Sequence, residues 1–280
     1  GILPSAGPYP TVVERDDGTR TLVVTAGCWG ILLGRIQVVF DPQGRVVEWL
    51  EARPIVVDAS VPEDEVARAA VRAFGRPIEA AKAREVYRSE TGIETGGPAM
   101  FTGESPMANV IADAMLEAGR KAGARLAIMN AGGVRSPLPA GVVSYARAVE
   151  ILPFGNTLVL LDLSGAELLG ALEHGVSRAG AGAFPHVSRG TAYRYGPSRP
   201  EGSRLVGATV DGEPVDPSKT YRVVLNSFTA KGGDGFESFR DAKGERLDTG
   251  TIDLDALLDF LAAHPDLSPG VEGRIEAVGQ

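Results

Sequence analysis

The sequence predicts a mixed α+β fold, and three features of its pattern carry that prediction. Residues 9 to 50 alternate apolar and polar positions between turn signals, as half-buried strands do. Residues 60 to 84 switch to an Ala-, Arg- and Glu-rich helical texture. From residue 100 onward helical and strand-like segments mix without regular alternation, which argues against a regular βαβ array.

In chain order, "TVVERDDGTRTLVV" sets Asp16-Asp17-Gly18 between two Val-rich runs and predicts a hairpin. "GRIQVVFDPQGRVVEWLEARPIVV" repeats the device with a turn at Asp41-Pro42-Gln43-Gly44. "SVPEDEVARAAVRAFGRPIEAAKAREV" opens on Ser, Pro and acids and predicts an exposed helix, with a break expected at Gly75 to Pro77. A helix between blocks of different texture is an expected linker. The boundaries are therefore drawn at 1–58 for a strand block, 59–95 for the linker and 96–280 for the main domain.

Within that domain a helix is expected from about Ser105, with Val110, Ala114 and Met115 on its buried side. "ARLAIMNAGGVRS" is a short apolar strand, "SYARAVEILPF" a short helix, and "NTLVLLDLSGAELLGALEHGVSRAG" a strand, a Ser-Gly cap and a helix. Residues 183 to 227 alternate again, with turns at Asp211-Gly212 and Asp216-Pro217, and "YRVVLNS" is a buried strand. "DTGTIDLDALLDFLAAHP" predicts an amphipathic helix with acids in its first turn and a stop at Pro265.

With 280 residues, 44% of them hydrophobic, the chain can bury a sizeable core. A net charge of -8 argues against a nucleic-acid partner, though a local Arg cluster can still hold a small anion. The lone Cys28 excludes an internal disulfide and a Cys-based zinc cage, and is expected to be a small buried hydrophobe. Apolar runs such as "NTLVLLDL" fall far short of the ~20 residues of a membrane span. The opening "GILPSAGPYP" has no Met and no signal-peptide pattern, and suggests a fragment. Arginine outnumbers lysine, and Ala, Gly and Pro are frequent, a composition that suggests a bacterial gene.

Three loops combine glycine with groups that bind ligands. In "NAGGVRS", Gly132 and Gly133 can present backbone N–H groups, Asn130 adds an amide, and Arg135 adds a planar fork for phosphate or carboxylate. In "LPFGNTLV", Phe154 sits between Pro and Gly before a strand. In "LNSFTAKGGDGF", glycines 232, 233 and 235 allow close approach beside Phe228, Asp234 and Phe236. Alone, that last stretch fits equally a hairpin turn with both phenylalanines as core. Together the loops spell nucleotide: Phe154 and Phe228 as plates for a base, Asp234 for sugar hydroxyls, Arg135 for phosphate. His174, His186 and His264 fall in separate elements without Asp-x-His or His-x-His pairing and are expected to be structural or surface groups. No nucleophile elbow, P-loop or metal cluster is legible, so no catalytic residue and no metal ligand is assigned.

These three motifs in this order, with the closing "VEGRIEAV", resemble the C-terminal domain of the 5'-nucleotidase family, which includes ecto-5'-nucleotidase and UDP-sugar hydrolase. The strand block resembles the last strands of that family's N-terminal metallophosphatase domain, and "SVPEDEVARAAV" its interdomain helix. The resemblance implies that Phe154 and Phe228 stack on the base and that Asp234 binds ribose. It also implies that Asn130, Gly132, Gly133, Arg135 and Gly233 border the substrate. Hydrolysis in the family uses a dimetal centre in the N-terminal domain, whose ligands would lie just upstream of Ile2, so this chain is expected to bind no cofactor and to be inactive alone. A periplasmic, extracellular or cell-surface location is implied as well. Where many members carry an arginine at the helix start, "MFTGESPMANV" has Gly103 before Glu104. That departure leaves cyclic 2',3'-nucleotides, nucleotide sugars and sulfur esters as alternative substrates, beside a non-catalytic nucleoside- or anion-binding module. Residues 10 to 57, lacking a partner sheet, are expected to promote self-association.

Overall fold

The computed structural model describes residues 7–27 and 30–279, so the opening residues and the expected burial of Cys28 lie outside the described residues. The chain divides into two units, Gly1–Arg76 and Pro77–Gln280.

In the first unit β1 (Thr11–Glu14) and β2 (Arg20–Val23) pair as an antiparallel hairpin. Its turn is held by Asp17, whose carboxylate accepts the Thr19 N–H at 2.9 Å and the Thr19 hydroxyl at 2.6 Å. β3 (Leu32–Phe40) and β4 (Val46–Val56) form a second antiparallel pair. There Asp41 accepts the N–H groups of Gln43 and Arg45 at 2.9 and 2.8 Å. No residue of these four strands is buried. α1 (Glu65–Lys82) runs through the break expected at Gly75 to Pro77. One Gly and one Pro cost roughly 4 kcal/mol together, and the Ala-, Arg- and Glu-rich turns on both sides outweigh that.

In the second unit β5 (Glu85–Ser89) is followed by α2 (Pro106–Arg120), β6 (Leu126–Asn130), β7 (Gly141–Ser144) and α3 (Tyr145–Ile151). Next come β8 (Thr157–Ser164), α4 (Gly165–Ser177), β9 (Pro185–Val187), β10 (Thr191–Tyr195), β11 (Leu205–Val210) and β12 (Glu213–Pro214). The chain then continues through β13 (Thr220–Asn226), α5 (Ser227–Ala230), α6 (Glu237–Asp241), β14 (Arg246–Ile252), α7 (Asp253–Ala263) and β15 (Ile275–Ala277). The mixed α/β fold matches the sequence expectation. "DTGTI" differs from it: the segment ends β14, and the helix begins only at Asp253. Thr and Gly favour extended or turn backbone there, and pairing of Ile252 with Thr157 extends the sheet.

The central sheet has the order β14-β8-β13-β6-β9, and a second sheet the order β12-β11-β10-β15. β13 runs parallel to β6 and antiparallel to β8. Helix starts obey their caps: Ser105 accepts the Ala108 N–H, and Ser164 forms a reciprocal capping box with Glu167. α2 is apolar nearly all round because it packs on β6, β9 and β13 and also against α7. Val110, Ala114 and Met115 are buried, as expected, and so are most other residues of that helix.

The C-terminal segment is tied to α2 by charge. Arg274, 5% exposed, grips Asp113 with two bonds of 2.8 and 2.9 Å and donates to the Val187 carbonyl at 3.0 Å. The Glu104 carboxylate accepts the backbone N–H groups of Glu272, Gly273 and Arg274 at 2.7, 2.9 and 2.8 Å. Glu104 is therefore spent on fixing the "EGR" segment.

Candidate functional site

Topology explains why three loops distant in sequence meet. β6 and β13 are parallel neighbours, so Asn130 and Asn226 leave the sheet at the same edge. β8 runs the other way, with Leu158 opposite Asn226, so residues 153 to 156 enter at that edge. β9 pairs Pro185 with Asn130 and brings residues 182 to 184 alongside. Ligands collect at such an edge because loops there are free to vary above a rigid sheet.

The edge holds a cavity of about 350 Å³ lined by Asn130, Gly132, Gly133, Arg135, Phe154, Asn156, Phe228 and Asp234. Seven of the eight residues singled out from sequence line it. Phe154 is 59% exposed and Phe228 46%, whereas Phe236 is 1% exposed and stacks on Phe239 at 4.8 Å. The ambiguity of "LNSFTAKGGDGF" thus resolves residue by residue: Phe236 is core and Phe228 faces the cavity. The stretch is also no hairpin turn, since it passes from β13 into α5.

Gly233, the eighth residue, plays another part. A Cβ there would lie 2.6 Å from the Phe228 ring, so the bare backbone is the seat on which the ring rests. Gly132 also differs from expectation: its N–H is not offered to a ligand but donates to the Gly182 carbonyl at 2.9 Å. At Gly133 the Met129 methyl occupies the space a side chain would need.

A chain of buried amides orients the acid. Asn226 caps α5: its Oδ1 accepts the Thr229 N–H at 2.9 Å, so its Nδ2 points at Asn130 Oδ1, 2.8 Å away. Asn130, 3% exposed, then has its own Nδ2 free to donate to Asp234 Oδ2 at 2.7 Å. Asn130, expected to border the ligand, lines the cavity and is also bonded through both ends of its amide to its neighbours. Asp234 itself is exposed and left-handed, at φ 55, a backbone that Asp tolerates better than most residues. Its carbonyl accepts from His174 Nε2 at 2.9 Å.

Arg135 is exposed, and its Nη1 reaches the Gly132 carbonyl at 3.3 Å. It forms no ion pair among the described residues, which leaves most of its donors to a ligand. Asn156 lines the cavity two residues after Phe154 and accepts from the Ser227 hydroxyl at 3.4 Å. Behind it Asp253 is buried, and burial pushes its carboxyl up to about 6.

Sequence reasoning passed over Asn156, Asn226 and Gly182, and took His174 for a structural or surface group. Asn156 had a signal, its place in "PFGN" beside a loop Phe, and Asn226 another, its cap bond to Thr229 three residues on; Gly182 and His174 are marked only by partners far along the chain. His186 is a core residue, bonded through Nε2 to the Met100 carbonyl at 3.0 Å and pushed down to about 4 by burial. His264 pairs with Glu117 at the surface, at 3.1 Å.

Residues 85–241 match the family model "5'-nucleotidase, C-terminal domain". The chain belongs to the 5'-nucleotidase family. Bovine 5'-nucleotidase is 32% identical over 97% of this chain and 50% of its own length. Snake venom 5'-nucleotidase from Macrovipera lebetinus is 31% identical, with 96% of this chain and 71% of that protein covered. The crystal structure of the 5'-nucleotidase precursor from Thermus thermophilus aligns with 99% of this chain and 56% of its own, at a TM-score of 0.71 and 39% identity. The chain thus spans about half the length of several 5'-nucleotidases it matches.

Proposed function

We propose that this chain is the nucleotide-recognition part of a 5'-nucleotidase-type phosphoesterase, which hydrolyses nucleotide phosphate esters to nucleoside and phosphate. The observation that supports it most is the exposure of two phenylalanine rings on one cavity. Leaving such rings in water forfeits about 25 cal/mol for every Å² of apolar surface, a loss that a stacked base recovers. The volume of about 350 Å³ falls at the small end of ligand pockets. Phe154 and Phe228 take the base, Asp234 accepts the sugar hydroxyls, and Arg135 reaches the phosphate side.

Bond cleavage needs more than these groups. Among the described residues no three His, Cys, Asp or Glu side chains converge to hold a metal ion. The dimetal centre that the family resemblance implies is assigned to a metallophosphatase domain, which is also the partner proposed for this chain. A periplasmic, extracellular or cell-surface location is proposed on the family resemblance. Among the described residues no helix is long and apolar enough to cross a membrane.

Calorimetric titration with adenosine and AMP tests the clamp. Phe154→Ala and Phe228→Ala should each lose roughly 1–3 kcal/mol of binding, about 5- to 150-fold. Unchanged affinity in both variants would overturn it. Phosphate release from AMP in the presence of Mn, Zn or Co tests the division of labour: protein-dependent turnover by the pure chain would show that catalysis needs no other domain.

One observation favours a second reading. Among the described residues Arg135 is the one cation lining the cavity, which suits a ligand with a single phosphate charge, such as a 2',3'-cyclic nucleotide. Tighter binding of 2',3'-cyclic AMP than of AMP would select it.

A further inference from the structure

Asp234 holds a backbone conformation, φ 55 and ψ 18, that a non-glycine residue seldom keeps unless its surroundings impose it. Two groups from elsewhere in the fold do so. Asn130 Nδ2 holds the carboxylate at 2.7 Å, and His174 Nε2 holds the carbonyl at 2.9 Å. The acceptor is a carbonyl, so Nε2 must carry the proton. The imidazole is itself confined. It meets Phe236 edge-on at 4.9 Å, and it leaves no room at Gly235, where a Cβ would lie 3.0 Å from Cε1. Phe236 is in turn stacked on buried Phe239, so the face that the half-buried imidazole rests on is fixed by the core.

A carbonyl held in this way fixes the peptide plane after Asp234, and with it the direction in which Cβ leaves the backbone. We propose that His174 is a positioning residue, whose grip on the Asp234 carbonyl aims the carboxylate into the cavity and sets how strongly the site prefers ligands bearing vicinal sugar hydroxyls. The proposal rests on the reading of Asp234 as the hydroxyl acceptor. It assigns His174, which touches no ligand, a role in specificity. Without the bond, residue 234 is free to relax to ordinary backbone angles, and the Asn130 bond is lost as the carboxylate turns away.

The test compares adenosine with 2',3'-dideoxyadenosine by calorimetric titration of the full chain. The wild type should prefer adenosine by roughly tenfold or more, as bonds between hydroxyls and a carboxylate warrant. His174→Leu should reduce that preference to about twofold and leave the affinity for dideoxyadenosine, carried by the rings, unchanged. His174→Gln, which retains an N–H donor, should recover much of the preference. A merely structural role would instead weaken both ligands in proportion, and an unaltered ratio in His174→Leu overturns the proposal. If His174→Leu does not fold, His174→Asn, polar but too short to reach the carbonyl, takes its place against His174→Gln. A wild type that binds both nucleosides equally overturns the reading of Asp234 and the proposal with it. Equal binding in the wild type and an unaltered ratio in the variant thus separate the two failures.

Discussion

β3 and β4 of the first unit carry Leu33, Phe40 and Leu50 in solvent, while β6 of the second unit has every residue buried. Both regions alternate or concentrate apolar residues as strands should. The difference lies in the second layer: β6 is covered by α2, whereas β1 to β4 form two-stranded sheets with neither face buried. Isolated hairpins are marginal in water, so stability in this chain is concentrated in residues 77–280. The contrast teaches that alternation specifies a strand, and that only a covering element makes it core.

The largest expected effect tests that concentration. Arg274→Ala removes two charged hydrogen bonds from the buried Asp113 carboxylate, which keeps the Arg189 N–H and guanidinium as partners, and should cost about 3 kcal/mol, read as a fall in urea midpoint. Arg194→Ala breaks an ion pair to Glu276 that is exposed on both sides and should cost no more than about 1 kcal/mol. Equal costs for the two would erase the contrast between buried and exposed charge.

Titration sharpens it next. His186 is pushed down to about 4 in the fold, against about 6.5 unfolded, so its contribution is full above 6.5 and is lost as pH falls towards 4. Asp253 is pushed up to about 6, against about 3.8 unfolded, so its contribution is full below 3.8 and is lost as pH rises through 6. Between pH 4 and 6 the two oppose each other, each by up to about 1.4 kcal/mol per pH unit. Relative to wild type, Asp253→Asn should therefore gain stability as pH rises across that window and His186→Gln should lose it. Urea midpoints at pH 4, 5 and 6 check the opposite slopes; parallel slopes would refute the burial of one group.

Within the second unit the loops divide by the reach of their causes. Phe154, Arg135 and Asp234 were legible because glycine, asparagine and an aromatic or charge stand together within a few residues. The cap at Ser164 and the helix start near Ser105 were legible for the same reason, the partners of both serines lying three residues on. His174 was not: it acts on Asp234, 60 residues later, through a fold that the local pattern does not encode. Asn226 and Asn130 are 96 residues apart, and Gly182 meets Gly132 only because β9 doubles back on β6. Gly233 was legible as a site residue, but its task as the seat of Phe228 depends on a ring position that only the fold fixes. Gly233→Ala should push that ring aside and weaken adenosine binding about fivefold or more, while stability changes little because the half-exposed ring can move to relieve the clash. Calorimetry and a melting curve on the same sample check both halves, and unaltered binding would remove the ring from the clamp.

The smallest effect on stability is expected in the first unit, where it carries a different readout. Phe40, 59% exposed, and Leu50, 64% exposed, contribute little to any core, so Phe40→Ser with Leu50→Ser should shift stability by no more than about 0.5 kcal/mol each. Their burden is colloidal: exposed apolar strands attract one another, and a two-stranded sheet offers open edges as well. Light scattering should therefore show the wild-type chain above monomer mass and the double variant closer to it, with both melting alike. A monodisperse wild-type monomer would mean that the open sheets are tolerated in water, and that burial differences between the two units have no consequence for association.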